Sequence, residues 1–145
     1  MFIDTILKQK GRQVVAVAPQ DSVASISRTL AQHRIGAVLV IERDGTVSGI
    51  VSERDIVRAL AGGGEATLRM TAGQLMTRVL YTLTPQSHVQ EGLRLMTDRR
   101  VRHLPVLEKD GRLAGMVSIG DLVKHRIAEA ELEADELKAY VATAG

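Results

Sequence analysis

The chain has 145 residues, 45% of them hydrophobic and 25% charged, with a formal net charge of +2. This is globular composition, sufficient for one ordinary domain or for two very small ones that depend on each other's packing. The lack of cysteine excludes a disulfide framework, a thiol nucleophile and a thiolate metal site. With Phe2, Tyr81 and Tyr140 as the only aromatic residues, the core must be aliphatic, and the dispersed basic residues have no aromatic partners for a single-strand nucleic-acid platform.

In chain order, Met1 to Lys10 carries no signal-peptide apolar region, and Phe2, Ile3, Ile6 and Leu7 space out as a short amphipathic helix. Val14 to Val17 reads as a short strand. Val23, Ile26, Ser27 and Leu30 then fall at helical spacing. Ala37 to Ile41 is an apolar, β-branched run, followed by Asp44-Gly45 and a second run ending at Ser52; Asp-Gly between such runs predicts a hairpin on a tight primed turn. The longest stretch free of polar side chains, Ile35 to Ile41, is far too short to span a bilayer, so a cytoplasmic protein without a membrane partner is expected. A second helix is predicted from Glu53 to Ala61, ended by Gly62, Gly63 and Gly64, and Thr71 to Thr77 suits one short helical turn.

The same grammar then returns. Val79 to Leu83 is a strand, Val89, Leu93 and Met96 mark a helix, and Leu104 to Leu107, Asp110-Gly111 and a run ending at Ser118 mark a hairpin, with a helix from Ile119 onward. A shift of 66 residues lays Pro19 to Val57 on Pro85 to Val123 without a gap, with 14 of 39 positions identical. Duplication is the simplest account. The expected fold is α/β: two β-α-β-β-α repeats packed face to face through small three-stranded sheets, with a pseudo-two-fold and flanking helices. The expected divisions are an N-terminal helix (1–10), a first domain (11–64), a linker with a short helix (65–78), a second domain (79–127) and a C-terminal helical extension (128–145). A cleft between the copies is the expected place for a ligand.

The repeated signature is Gly49-Ile50-Val51-Ser52-Glu53-Arg54-Asp55 and Gly115-Met116-Val117-Ser118-Ile119-Gly120-Asp121. Each lies at a strand-to-helix junction, where Ser followed three residues later by an acid is a capping-box pattern. The same geometry suits a nucleotide: helix N-H groups and a hydroxyl serve phosphate, and a carboxylate accepts from both hydroxyls of a ribose. Capping and binding are compatible.

With the repeat, the two GhhSxxD signatures and the segment Arg102-His103-Leu104-Pro105-Val106, the chain from Gly11 to Ile127 resembles a tandem of cystathionine β-synthase (CBS) domains, a Bateman module of the small stand-alone bacterial type. The resemblance implies a regulatory, energy- or redox-sensing module that binds an adenine nucleotide (AMP, ADP, ATP or NAD(H), with S-adenosylmethionine less favoured) and signals by conformational change. It implies that Asp55 and Asp121 hold ribose hydroxyls beside Ser52 and Ser118. It also implies that adenine is gripped by the segments ending at Pro19 and Pro85, with Ile35, Ala37 and Val38 in one copy and Val101 and Leu104 in the other. Only the second copy offers Arg102, His103 and Pro105, where the first has Gly36, Ala37 and Leu39, and Arg54 stands where the second copy has Gly120. A principal site of Ser118, Asp121, Arg102 and His103, joined by Arg54, is therefore expected.

No catalytic residue is expected: His103 has no cysteine and no nucleophile-elbow serine to serve. His33, His88 and His125 lack the close pairing of a metal site. Arg99, Arg100 and Arg102 with Lys124, His125 and Arg126 make a basic rim, solvated or phosphate-facing. Beyond the repeat, Ile127, Ala130, Ala134, Leu137 and Val141 form a narrow apolar seam on an acidic helix, and homodimerisation through both chain ends is expected, with an effector protein unknown. The competing reading is a ligand-independent dimerisation or docking scaffold whose Ser-Asp pairs are only helix caps.

Overall fold

The computed structural model describes residues 1–79 and 81–144. Its elements are α1 (Ile3–Lys10), β1 (Ala16–Val17), α2 (Val23–His33), β2 (Ala37–Ile41), β3 (Val47–Ser52) and α3 (Glu53–Gly63). A 3-10 segment (Gly64–Arg69) leads to α4 (Ala72–Leu75), β4 (Thr77–Arg78), α5 (Val89–Arg99), β5 (His103–Leu107), β6 (Leu113–Ser118) and α6 (Ile119–Ala144). They form two units, one of residues 13–80 and the other of residues 1–12 with 81–145.

In the unit of residues 13–80, the sheet runs β1-β2-β3-β4, with β1 parallel to β2 and the other neighbours antiparallel. Val23, Ile26 and Leu30 recur every three or four residues, so α2 buries one face against Val38, Val40 and Val51 of the sheet. Ser22 caps α2 by accepting from Ser25 N at 3.1 Å. The sheet has a fourth strand beyond the expected three, because Thr77 and Arg78 extend along Ile50 and Gly49 as the chain leaves α4.

In the other unit, β5 and β6 pair as a hairpin, and Leu83 joins it by a single parallel bridge to Val106. Leu83 N donates to Pro105 O at 2.9 Å and Leu107 N to Leu83 O at 2.8 Å, so the expected strand from Val79 to Leu83 shrinks to one bridge; its Leu80 lies outside the described residues. Pro105, in β5, has no N-H for a longer ladder. The core gathers Leu83, Val89, Met96, Leu104, Val106, Val117 and Leu122 around Ile3, Ile6 and Leu7. The N-terminal helix is thus a core element. Ile3, Ile6 and Leu7 are buried within the chain and are not open to a partner, while Phe2, the other residue of the expected N-terminal homodimer surface, is 48% exposed.

Both hairpins turn on one positive-φ residue each, Gly45 (φ 90) and Gly111 (φ 88), while Asp44 and Asp110 keep negative φ. Glu42 O accepts from Gly45 N at 3.0 Å and Glu42 N donates to Thr46 O at 2.8 Å, with the register shifting at Val40/Ile41. This is a three-residue loop closed by a bulge at glycine, and it replaces the expected two-residue primed turn, which needs two positive φ values.

The docking of each unit's leading segment shows that the repeat extends further than the in-register block. Ile3 N donates to Ser87 O (2.8 Å), Asp4 N to Pro85 O (2.9 Å) and Val89 N to Met1 O (3.0 Å). The counterparts are Ala72 N to Asp21 O (2.8 Å), Gly73 N to Pro19 O (2.8 Å) and Val23 N to Met70 O (2.8 Å). The lead that precedes the first copy therefore docks on the second, and the lead that precedes the second docks on the first. The signature glycines receive these leads: a Cβ on Gly49 would stand 2.5 Å from Met76 Sδ, and one on Gly115 would stand 2.7 Å from Leu7 Cδ2.

Candidate functional site

At the end of β3, Ser52 pairs with Ala37 across the hairpin, and Glu53 N donates to Gly36 O at 2.9 Å. Ser52 Oγ accepts from Asp55 N at 3.1 Å while Asp55 Oδ2 accepts from Ser52 N at 2.9 Å, a full capping box that starts α3. The box consumes one carboxylate oxygen. Among the described residues, Asp55 Oδ1 and the Ser52 hydroxyl proton have no partner, and Asp55 forms no ion pair.

The second copy repeats this at the end of β6. Ser118 pairs with His103, Ile119 N donates to Arg102 O at 2.8 Å, Ser118 Oγ accepts from Asp121 N at 3.1 Å, and Asp121 Oδ2 accepts from Ser118 N at 2.8 Å. Here a further residue takes part. Lys10, the last residue of α1, donates to Asp121 Oδ2 at 2.7 Å and to Met116 O at 2.9 Å. Burial raises the Asp121 carboxyl, but the hydrogen bond and charge of Lys10, together with the Ser118 hydrogen bonds, outweigh it and hold the carboxyl below its ordinary range.

Each unit thus brings its Ser-Asp pair to the edge of the paired strand: Ser52 and Asp55 beside Ile35 and Ala37, and Ser118 and Asp121 beside Arg102 and His103. Arg54 and Arg102 are exposed and form no ion pair among the described residues. Arg54 belongs to the unit of residues 13–80, and the other expected members of the principal site to the second unit. Val101, His103, Ile35, Ser52 and Ser118 are half-buried. Val38 and Leu104, at 0% and 1% exposure, lie in their units' cores and Ala37 and Pro105 are also buried, so Val38 and Leu104 spend their side chains on packing. A groove between α2 and α3, lined by Leu30, Arg34, Ile35, Gly36, Glu53 and Ile56, borders the first pair without including Ser52 or Asp55.

Of the basic rim, Arg99 lies over the Tyr81 ring at 5.1 Å and Arg126 pairs with Glu129 at 3.4 Å. No cluster of potential metal ligands occurs among the described residues. The residue that sequence reasoning missed is Lys10. Its signal lies in the spacing, since Lys10 follows Ile3 and Leu7 at helical intervals and so stands at the exposed end of the face that docks, within reach of a carboxylate.

The CBS domain profile matches residues 11–62 and 72–128. The chain is 34% identical over 147 residues to the CBS domain-containing protein CBSX3, mitochondrial, of Arabidopsis thaliana, covering 96% of this chain and 71% of the relative. Its fold is similar to the CBS-domain containing protein ATU1752 from Agrobacterium tumefaciens, with 44% identity, a TM-score of 0.83, and 87% and 99% of the two chains covered. It is also similar to the CBS domain protein PAE2072 from Pyrobaculum aerophilum, solved in complex with AMP, with 27% identity, a TM-score of 0.79, and 92% and 99% covered. Two matched repeats that together span most of its length make this chain a member of the CBS-domain family, a CBS domain pair.

Proposed function

We propose that this chain is an adenine-nucleotide-binding regulatory module, not an enzyme, in which the Ser52-Asp55 and Ser118-Asp121 pairs hold the ribose. One observation carries the reading: each capping box leaves a carboxylate oxygen and a serine proton unused at a strand-to-helix junction, which is more than a cap alone requires. The 27% identical relative in complex with AMP supports the ligand class. Arg54, Arg102 and His103 are the phosphate-side groups, and AMP, ADP, ATP or NAD(H) fits this set better than S-adenosylmethionine, which brings no phosphate. Bound nucleotide biases the module only by its differential affinity for alternative conformations.

Calorimetric titration of nucleotide-stripped protein with AMP, ATP, NADH and S-adenosylmethionine tests the reading. At least one phosphate-bearing ligand is expected to bind below millimolar concentration. Failure of all four would leave the scaffold reading, with the boxes serving as caps alone. Self-association belongs to the same proposal and rests on α6, where Ile127, Leu132, Leu137, Tyr140 and Val141 are 54–69% exposed on a helix whose only buried residue, among those described, is Leu122.

A further inference from the structure

The two Ser-Asp pairs differ in one respect that neither signature shows. Asp121 is engaged by the ammonium of Lys10 at 2.7 Å, and Asp55 by no cation among the described residues. The cause is the shape of the docked leads. In the unit of residues 13–80, α4 ends at Leu75 and the chain extends into β4, bringing Val79 N to Ser48 O at 3.5 Å. In the other unit the lead stays helical for two turns and ends on Gly11 (φ 98), whose N-H closes on Leu7 O, so Lys10 reaches Met116 O and Asp121 with its side chain.

We infer that Lys10 is an intramolecular competitor for the ribose at Asp121, so that nucleotide enters the second-copy site by displacing the Lys10 side chain, which tethers the end of α1 to β6 and α6. This rests on the nucleotide reading above. Ser118 N and Lys10 both donate to Asp121 Oδ2 and fill its two acceptor positions, whereas Asp55 Oδ2 accepts from Ser52 N alone; a ribose diol that bridges both carboxylate oxygens therefore finds Oδ2 open at Asp55 and filled at Asp121. The pair is breakable. Lys10 is 36% exposed, so its ammonium can swing into solvent while Ile3, Ile6 and Leu7 keep α1 in the core. Occupancy of this site is thereby linked to the order of the α1–Gly11 junction, whereas the Asp55 site carries no such link.

The test uses AMP as probe and Asp55→Asn as background, which leaves the second-copy site as the one with an intact Ser-Asp pair. Adding Lys10→Met is expected to tighten AMP binding about three- to sixfold, because the apparent affinity is reduced by the fraction of molecules in which Lys10 occupies Asp121. Lys10→Arg, which keeps a cation there, is expected to leave affinity within about twofold of the background. Hydrogen exchange at Lys10 and Gly11 is expected to speed up on AMP addition in the Asp55→Asn protein. Unchanged or weaker AMP binding in the Lys10→Met variant overturns the inference while leaving the nucleotide reading intact. No AMP binding by the full chain or by any variant overturns the nucleotide reading, and this inference with it.

Discussion

Lys10 Nζ and Asp121 Oδ2 stand 2.7 Å apart although 111 residues separate them in sequence. The bond ties the end of α1 to the first turn of α6, and it depresses the Asp121 carboxyl against the opposing effect of burial. A carboxyl depressed in the folded chain stabilises it above the unfolded value, near 3.8, and loses that contribution as pH falls through the folded value. Both side chains are partly exposed, so solvent screening keeps the pair's worth below about 1 kcal/mol. Lys10→Met is therefore expected to lower stability by that amount at neutral pH. The gap to the unsubstituted chain should hold down to about pH 5 and close below about pH 4. Urea denaturation at a series of pH values checks this, and a gap that widens in acid would contradict it.

Capping and ligand binding separate at Asp55. Asp55→Asn keeps an amide oxygen to accept from Ser52 N, so α3 is expected to lose less than about 0.5 kcal/mol, while the charged acceptor offered to a ribose disappears. Ser52→Ala removes the acceptor for Asp55 N and is expected to cost about 1 kcal/mol. Thermal melts combined with AMP titration make the comparison. If Asp55→Asn bound as many AMP molecules per chain as the unsubstituted protein, with the same affinities, Asp55 would be a cap and nothing more.

The signature glycines are explained by the leads that cross them. A Cβ on Gly49 would meet Met76 Sδ at 2.5 Å and the Thr77 carbonyl oxygen at 2.9 Å, the latter backbone in β4. A Cβ on Gly115 would meet only the branched end of Leu7. Gly49→Ala is accordingly expected to cost about 2–3 kcal/mol and Gly115→Ala about 1–2 kcal/mol. Combining Gly115→Ala with Leu7→Ala should be less destabilising than the sum of the two, since both act at one contact. Denaturant titrations of the four proteins measure that coupling.

Much of this is legible in the sequence because it is local. Helix α2 follows from the spacing of Val23, Ile26 and Leu30, the hairpins from Asp44-Gly45 and Asp110-Gly111, and the capping boxes from Ser and Asp three residues apart. What stays hidden depends on partners distant in sequence. The strand at Thr77 and Arg78 has no β-branched alternation of its own and forms because β3 offers Gly49 and Ile50 as an open edge. The burial of Ile3, Ile6 and Leu7 depends on where Pro85 and Ser87 present their carbonyls. The N-terminal segment is amphipathic as its spacing predicts, but amphipathicity does not say whether the buried face meets its own chain or another.

Arg34 and Arg100 occupy matching places in the repeat, each closing the first helix of its copy, and each sits at φ 54 in the left-handed region. Helices commonly end on such a residue, and it is usually glycine, because a Cβ crowds the following carbonyl there. Neither guanidinium has a hydrogen-bond or ion-pair partner among the described residues that would hold the strained backbone in place. Arg34→Gly and Arg100→Gly are therefore each expected to raise stability by about 0.5–1 kcal/mol, the relief of left-handed strain exceeding the added chain entropy of glycine in the unfolded state. The two sites lie in different units, so their effects should add. The same melts, repeated with AMP present, assign a role to each arginine. The Arg100→Gly substitution should leave AMP affinity unchanged if Arg100 belongs to the solvated part of the basic rim, and a loss of affinity would place it among the phosphate contacts.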